Sequence, residues 1–358
     1  MTRREIRVGV VGVGNCCSAL VQGLTYYRKA GKGGISEGLT FVNVGGYLPS
    51  DIKIVTAFDV DRRKVGIDLG EAIFAEPNSC MRVCDVGVLG TKVLKGPVLD
   101  GVAPDMRDHI LVDDSVAVDV AATLRDAEAE VLVNLLPVGA KKASRLYANE
   151  ALKAHCAYVN CTPAQIATDK ALATKFSRAR LPLVGDDLMS QIGGTVFHKS
   201  LLEFLHRRGV KVKNSYQLDV GGGTESRATI EESKKMLKQK IKTSSIRSAL
   251  PYKFEVVSGT TDYVEFLGNQ RVSYYWLSGG YFLGAPILLD IYLRTMDGPN
   301  GGAVIFDVIR ACKLALKRKI GGPLNSICAY GFKNPPEQIS LDQAKQRFME
   351  FVEGKKER

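Results

Sequence analysis

The chain has 358 residues, 45% of them hydrophobic and 24% charged, a composition that excludes a disordered polypeptide and fits a folded globular protein. This length suits one large α/β domain or two intertwined ones, with ample chain to bury a core. The formal charge is +11, from 49 Lys and Arg against 38 Asp and Glu. Such an excess suits nucleic acid, an anionic membrane surface or phosphorylated small molecules.

The distribution of that charge narrows the choice. Basic residues crowd 227–247, 313–319 and the last residues from Lys355, without aromatic interleaving and without a zinc-finger, RRM or KH signature. We therefore expect no nucleic-acid partner. No apolar run reaches the about 18–20 residues of a membrane span, and the N-terminus enters an apolar strand without a signal-peptide pattern. The expectation is a cytoplasmic protein with no membrane association. The eight cysteines show no Cys-x-x-Cys spacing and there are only four histidines, so reduced thiols are expected and a zinc site is not. His198 and His206 read as packing or surface residues rather than ligands.

In chain order, residues 6–13 form an apolar strand running into Gly12-Val-Gly14-Asn15-Cys16-Cys17-Ser18, followed by a segment at helical spacing to Tyr27. A glycine-rich insertion occupies 28–50, and Ile52–Asp59 is a second strand ending in an acid. Strands are predicted at 110–112, 131–134, 157–160 and 182–185, with helices at 115–126, 140–155 and 168–178. Alternating strands and helices predict a doubly wound parallel sheet. After about residue 210 the texture changes. Segments 215–220, 253–257 and 272–293 predict a mostly antiparallel sheet, interrupted by a charged helix at 229–242, and an apolar helix returns from Gly301.

Five motifs can carry chemistry. In the strand–turn–helix at 7–27, Gly12 permits the tight turn and Gly14 lets backbone approach a pyrophosphate at a helix N-terminus. Cys17 takes the place of the third fingerprint glycine. Asp59 can accept from the adenosine ribose hydroxyls and disfavours a 2′-phosphate, so NAD is expected rather than NADP. The insertion accounts for its distance from the glycines. A tight turn in any α/β protein is the alternative use of this segment, and a nucleophilic role for Cys16 or Cys17 gives way to packing. In the second motif Lys238 and Lys242 share one helix face. They form either a solvated face or, with an anion between them, a phosphate site in which neighbouring charge lowers a lysine pKa. Asp186 and Asp187 end a predicted parallel strand, where ligands bind in open sheets, or else cap the next helix. Asp297-Gly-Pro-Asn300 fits a turn and helix cap equally well. Lys333-Asn-Pro335-Pro336 is on its own a loop with a lysine.

Taken together these residues resemble the inositol-3-phosphate synthases of the short bacterial and archaeal type. The likeness lies in Gly12–Ser18, Ala57-Phe-Asp-Val-Asp61, Lys64-Val-Gly66, Leu136-Pro137-Val-Gly139, Val184-Gly-Asp-Asp187, Val220-Gly-Gly222, Lys242-Thr243, Asp297-x-Pro-Asn300, Gly321-Gly-Pro323 and Lys333-x-Pro-Pro336, in family order. The resemblance implies a Rossmann doubly wound parallel sheet, built from 1–200 plus 297–358, with an inserted α+β catalytic and oligomerisation domain at 201–296. It implies a homotetramer and a redox-neutral use of NAD: glucose 6-phosphate is oxidised at C5, enolised, closed by an intramolecular aldol step and reduced to inositol 3-phosphate. By position, Lys238, Lys242 and Lys333 match active-site lysines, Arg271 stands where a fourth is usual, and Asp187 and Asp297 lie in other polar motifs. Gly12, Gly14, Asn15, Cys16, Cys17, Asp59, Pro137 and Asp186 are the expected cofactor contacts. Three departures fall in the substrate motifs. Gly223, Glu225 and Ser226 replace the usual Asn, Asp and Phe, Met189 replaces a lysine, and Arg271 keeps a charge but cannot readily release a proton. A related cyclase acting on another sugar phosphate such as fructose 6-phosphate, a net oxidoreductase that releases NADH, and a non-catalytic NAD-binding or sugar-phosphate-binding paralogue are the alternatives.

Overall fold

The computed structural model describes residues 4–29, 37–102 and 106–358. Seven strands, β1 (Ile6–Val11), β2 (Ile52–Asp59), β3 (Val93–Lys95), β4 (Val131–Asn134), β5 (Ala157–Asn160), β6 (Pro182–Val184) and β11 (Gly322–Pro323), form one parallel sheet in the order β11-β6-β5-β4-β1-β2-β3. Its strands are buried on both faces, with the period of two expected of a covered sheet. Val8, Val10, Val131, Val133 and Val159 join the core on one face, while Val11, Leu132 and Tyr158 join the core on the other.

Helices α1 (Asn15–Lys29), α9 (Asp297–Lys317), α10 (Asn325–Gly331) and α11 (Leu341–Glu353) cover the first face, and α3 (Val120–Asp126), α4 (Lys141–Lys153) and α5 (Lys170–Ala179) cover the second. The short α2 (Leu69–Ala72) follows β2. Helix α9 lies along α1 so closely that a Cβ on Gly23 would come within 2.9 Å of the Phe306 ring. Only glycine admits that approach.

A second sheet has the order β10-β9-β7-β8, from β7 (Lys211–Gly221), β8 (Glu255–Tyr263), β9 (Gln270–Gly280) and β10 (Pro286–Met296). The β7–β9 and β9–β10 pairs are antiparallel, and β7–β8 is parallel. Its inner face packs on α6 (Gly194–Arg207) and α8 (Glu232–Arg247) through Leu202, Leu205, Ile246, Val212 and Leu277. The short α7 (Thr224–Ala228) links β7 to α8. No helix among the described residues is long and apolar enough to cross a membrane.

Two local expectations are corrected. The third strand is Val93–Lys95 and not 110–112, where only an isolated bridge joins Val112 to Asp61. A strand of three residues ending in a lysine leaves too little pattern to read. Helix α3 starts at 120 rather than 115, because the Asp119 carboxylate caps it by accepting from the Ala122 amide at 2.9 Å. The stretch 272–293 is antiparallel as expected, as two strands of a hairpin turned at 281–285. Within the insertion at 28–50, residues 30–36 lie outside the described residues.

The part of that insertion that is described is tied to α9 by Arg310, which is fully buried. Its guanidinium donates to the carbonyls of Phe41 at 2.8 Å and Val42 at 2.9 Å and to the Asp307 carboxylate at 2.6 Å. The Tyr330 hydroxyl donates to the other Asp307 oxygen at 2.6 Å. Arg310→Ala leaves Asp307 buried without its cation. Urea unfolding of that variant is expected to show a loss of about 3–5 kcal/mol; a loss below about 1 kcal/mol would remove this clamp from the account of stability.

Candidate active site

The strand order reverses at β1, which lies between β2 and β4, and ligands in open α/β sheets bind beyond the carboxyl ends of the strands at such a point. A cavity opens there and continues between the two sheets. The glycine turn, Asp59 and Pro137 line one end; Asp187, Lys238, Lys242, Arg271, Asp297 and Lys333 line the other.

At the first end Gly12 has φ +88°, and a Cβ on it would lie 3.0 Å from the Leu135 carbonyl oxygen, so the turn needs glycine. A Cβ on Gly14 would meet nothing within 4 Å. That face of the backbone is open to the cavity at the start of the 15-residue α1, whose first turn carries no acid. Asp59 braces the turn, accepting from the Val13 amide at 2.6 Å and the Val60 amide at 2.7 Å. The Asn15 side chain ties down the next loop by accepting from the Ser79 and Cys80 amides at 2.8 and 2.9 Å. Cys16 lines the cavity, but burial, aided by Asp297 and Glu225, pushes its thiol up to about 12, which removes any thiolate role at neutral pH. Bare backbone at a helix N-terminus beside a carboxylate fits a dinucleotide, and the Rossmann-type sheet suggests a nucleotide cofactor.

Two expected cofactor contacts are not on the cavity wall. Cys17 is fully buried in the core between α1 and the sheet. Asp186 is also fully buried. Its carboxylate accepts from Asn160 Nδ2 at 2.7 Å, the Ile166 and Ala167 amides at 3.0 Å each and Thr168 Oγ1 at 2.9 Å. These bonds fill the lone pairs of the group and brace the loop after β5. Of the two adjacent acids, only Asp187 turns into the cavity.

At the second end, each buried cation has a carboxylate. Lys333 Nζ donates to Asp187 Oδ1 at 3.0 Å. Lys238 Nζ lies 2.5 Å from Glu225 and 3.7 Å from Asp187, and Lys242 Nζ lies 2.6 Å from Asp219. The Arg271 guanidinium grips Asp297 with Nε at 2.9 Å from one oxygen and Nη2 at 2.6 Å from the other. Lys238 and Lys242 are therefore an inward face of α8, not a solvated one; the outward side carries Met236 at 60% exposure. Asp187 Oδ2 and Thr195 Oγ1 are buried with no hydrogen-bond partner, polar atoms left for a bound group.

The lysines separate by environment. Burial lowers Lys238, but Asp187 and Glu225 outweigh it and hold the ammonium above the usual lysine range. The expected lowering by neighbouring positive charge fails there because a carboxylate stands between the cations. Burial lowers Lys242 and Lys333, and Asp219 and Asp187 only partly restore them. Burial raises Asp219, yet Lys242 and Arg271 outweigh it and bring it down to about 2. Lys238 is thus a permanent charge, while Lys242 and Lys333 lie nearer proton-transfer range.

Asp219 and the ion-pairing role of Glu225 escaped sequence reasoning. Ser215, Gln217 and Asp219 alternate on the buried face of β7, and three polar residues at an inward period of two are the signal that would have found Asp219.

Comparison with known proteins bears on this geometry. Residues 193–298 match the sequence model of myo-inositol-1-phosphate synthase. The inositol-3-phosphate synthase of Mycolicibacterium smegmatis is 43% identical over 357 residues, 98% of each chain. That of Corynebacterium glutamicum is 42% identical over 360 residues, 98% of this chain and 99% of its own. Among solved structures, Ari2 superposes with a TM-score of 0.79 at 30% identity over 98% of this chain and 99% of its own. The Caenorhabditis elegans inositol-3-phosphate synthase, at 15% identity and TM-score 0.78 over 98% of this chain and 86% of its own, shares the fold. With full-length identity above two-fifths to relatives carrying that activity, the chain belongs to the inositol-3-phosphate synthase family and is an isomerase-type enzyme.

Proposed function

We propose that the protein cyclises glucose 6-phosphate to 1D-myo-inositol 3-phosphate with NAD as a catalytic, redox-neutral cofactor. The observation that carries this reading is the single cavity joining the glycine turn to the buried cations Lys238, Lys242, Lys333 and Arg271. Gly12, Gly14 and the start of α1 would hold the pyrophosphate, and Asp59 would serve the ribose. NAD bound there would supply a reversible hydride acceptor, which would make the reaction redox-neutral overall. Lys238, charged throughout, stabilises oxyanions and holds phosphate. Lys242 Nζ and Lys333 Nζ move protons at the substrate hydroxyl and carbonyl oxygens. A phosphate entering a site whose cations are already paired must displace a carboxylate. Glu225, whose side chain is 40% exposed against 28% for Asp297 and 3% or less for Asp187 and Asp219, is the acid most able to yield.

The departures from the family pattern favour a second reading, a ring closure on another hexose phosphate such as fructose 6-phosphate. Gly223, Glu225 and Arg271 all line the cavity, whereas Met189 is buried behind it. Arg271 cannot deliver a proton where a lysine could, and the missing side chain at Gly223 leaves room beside Asn15 and Asn269.

The division into 1–200 plus 297–358 and 201–296 follows the same roles, the first part holding the cofactor and the second supplying Lys238, Lys242 and Arg271. We further propose that the outer face of the second sheet forms a homotetramer contact. Tyr216 stacks on Trp276 at 5.5 Å and Tyr274 meets Tyr292 at 5.0 Å, while Leu288 and Tyr292 are 64% and 73% exposed. An aromatic patch of this kind marks an interaction surface.

Incubation with NAD and either hexose phosphate, read by NMR of the product, is expected to give a cyclitol phosphate without net accumulation of NADH. Lys242→Ala should lower turnover at least about a hundredfold while NAD still raises Tm; unchanged turnover would remove the lysine from the mechanism. Gly14→Ala, with space for its methyl, should melt like the parent yet bind NAD at least about tenfold more weakly, a difference of about 1.4 kcal/mol; parental affinity in calorimetry would contradict the pyrophosphate assignment. Light scattering should give four times the chain mass, and Trp276→Asp should reduce it. A monomer at micromolar concentration would count against the contact.

A further inference from the structure

We propose that Asp219 is a positioning residue for Lys242, fixing its ammonium at one point of the cavity wall so that ring closure can use it. The proposal rests on the cyclisation reading above and adds to it a cavity-lining residue that acts through this lysine.

Asp219 is almost fully buried near the end of β7. Its Oδ2 accepts from Lys242 Nζ at 2.6 Å. Gln217 Nε2, two residues back on the same face, lies 2.9 and 3.0 Å from the two carboxylate oxygens. From the paired strand, Ser273 Oγ donates to Oδ1 at 2.6 Å. Donors from three directions leave the carboxylate one orientation, and through it one place for the ammonium. A long lysine side chain otherwise keeps several rotamers, which ordering must overcome.

The brace extends inward. His198 Nδ1 lies 3.2 Å from Gln217 Oε1, and the Ser215 hydroxyl is 2.7 Å from His198 Nε2 and 2.8 Å from the Trp276 carbonyl. Burial brings His198 down to about 4, so the ring is neutral. The contacts run on to the Trp276 carbonyl of β9, so they brace Asp219 against the sheet. Gly194, opening α6, is shaped to it: a Cβ there would lie 2.2 Å from Gln217 Nε2.

The groups facing Lys242 are Asp219 on β7, Arg271 on β9, Lys238 on α8 and the Thr260 hydroxyl on β8 at 3.4 Å, with Asp187 beyond them from the loop after β6. Among these, Arg271 and Lys238 lower its proton affinity and Asp219 raises it. Arg271 keeps Asp297 when Asp219 is neutralised, and Lys238 keeps Glu225. The loss therefore falls on Lys242, which then releases its proton at lower pH.

The test is steady-state kinetics of Asp219→Asn across pH, with NAD and the hexose phosphate that the parent turns over. We expect kcat to fall at least about tenfold with KM within about twofold, the alkaline limb of the pH profile to move to lower pH, and NAD to raise Tm as in the parent. Parental kcat and an unmoved limb would overturn the positioning role alone. No product from the unsubstituted protein would overturn the cyclisation reading and this role with it. Where Asp219→Asn loses the NAD-induced rise in Tm, Ser273→Ala decides, since it keeps the charge and loosens its orientation. A kcat lowered about threefold or more at parental KM supports the role, and parental kcat overturns it.

Discussion

Four cations buried against four carboxylates are the constraint around which the structure is organised. An isolated ammonium or guanidinium could not stay charged at such depth, and removal from water is offset only where a carboxylate stands within bonding distance. The partners come from separate parts of the chain: Asp187 after β6, Asp219 in β7, Glu225 in α7 and Asp297 at the start of α9. No single element holds the pairs, so the charge cluster exists only when both sheets are assembled around it. The balance also gives the cavity a use. The paired cations carry no net charge among them, so under the proposed function a substrate phosphate must displace a carboxylate, the most solvated acid first.

The two sheets divide the work by their topology. The parallel sheet, with its reversal at β1, offers backbone amides at a helix start, a site that recognises phosphate without needing any particular side chain. The second sheet contributes side chains, because alternate residues of β7 and β9 face inward and can be polar where α8 brings opposite charge. The chain passes from β10 directly into α9, Met296 to Asp297, so the carboxylate that grips Arg271 stands at the junction of the two halves.

Much of this was legible in the sequence. The strands 131–134, 157–160 and 182–185 announce themselves because a doubly covered strand is a continuous apolar run between turns, and the glycine turn has a pattern dictated by backbone sterics. Other parts were hidden for physical reasons. Helix α8 buries Lys238 and Lys242 and exposes Met236, the inverse of an ordinary amphipathic face, so pattern alone favoured a solvated reading. Asp186 and Asp187 are chemically identical neighbours, and only the course of the backbone turns one into a loop brace and the other toward the lysines. The Cys17 side chain packs in the core, as expected of a residue standing in for the third glycine. Asp219 resembles any acid at a strand end, because apart from Gln217 its partners Lys242 and Ser273 lie 23 and 54 residues away in sequence.

The order of the parallel sheet bears on how the protein is made. Helix α9 and strand β11 follow the whole of the second sheet in the chain, yet α9 covers α1 through Phe306 and the glycine at 23. A nascent polypeptide leaving the ribosome has its glycine turn long before that helix emerges, and the side of α1 that α9 covers must wait while about two hundred and seventy residues are added, on the order of tens of seconds at typical synthesis rates. The packing of α1 is therefore completed only after the whole second sheet has been synthesised.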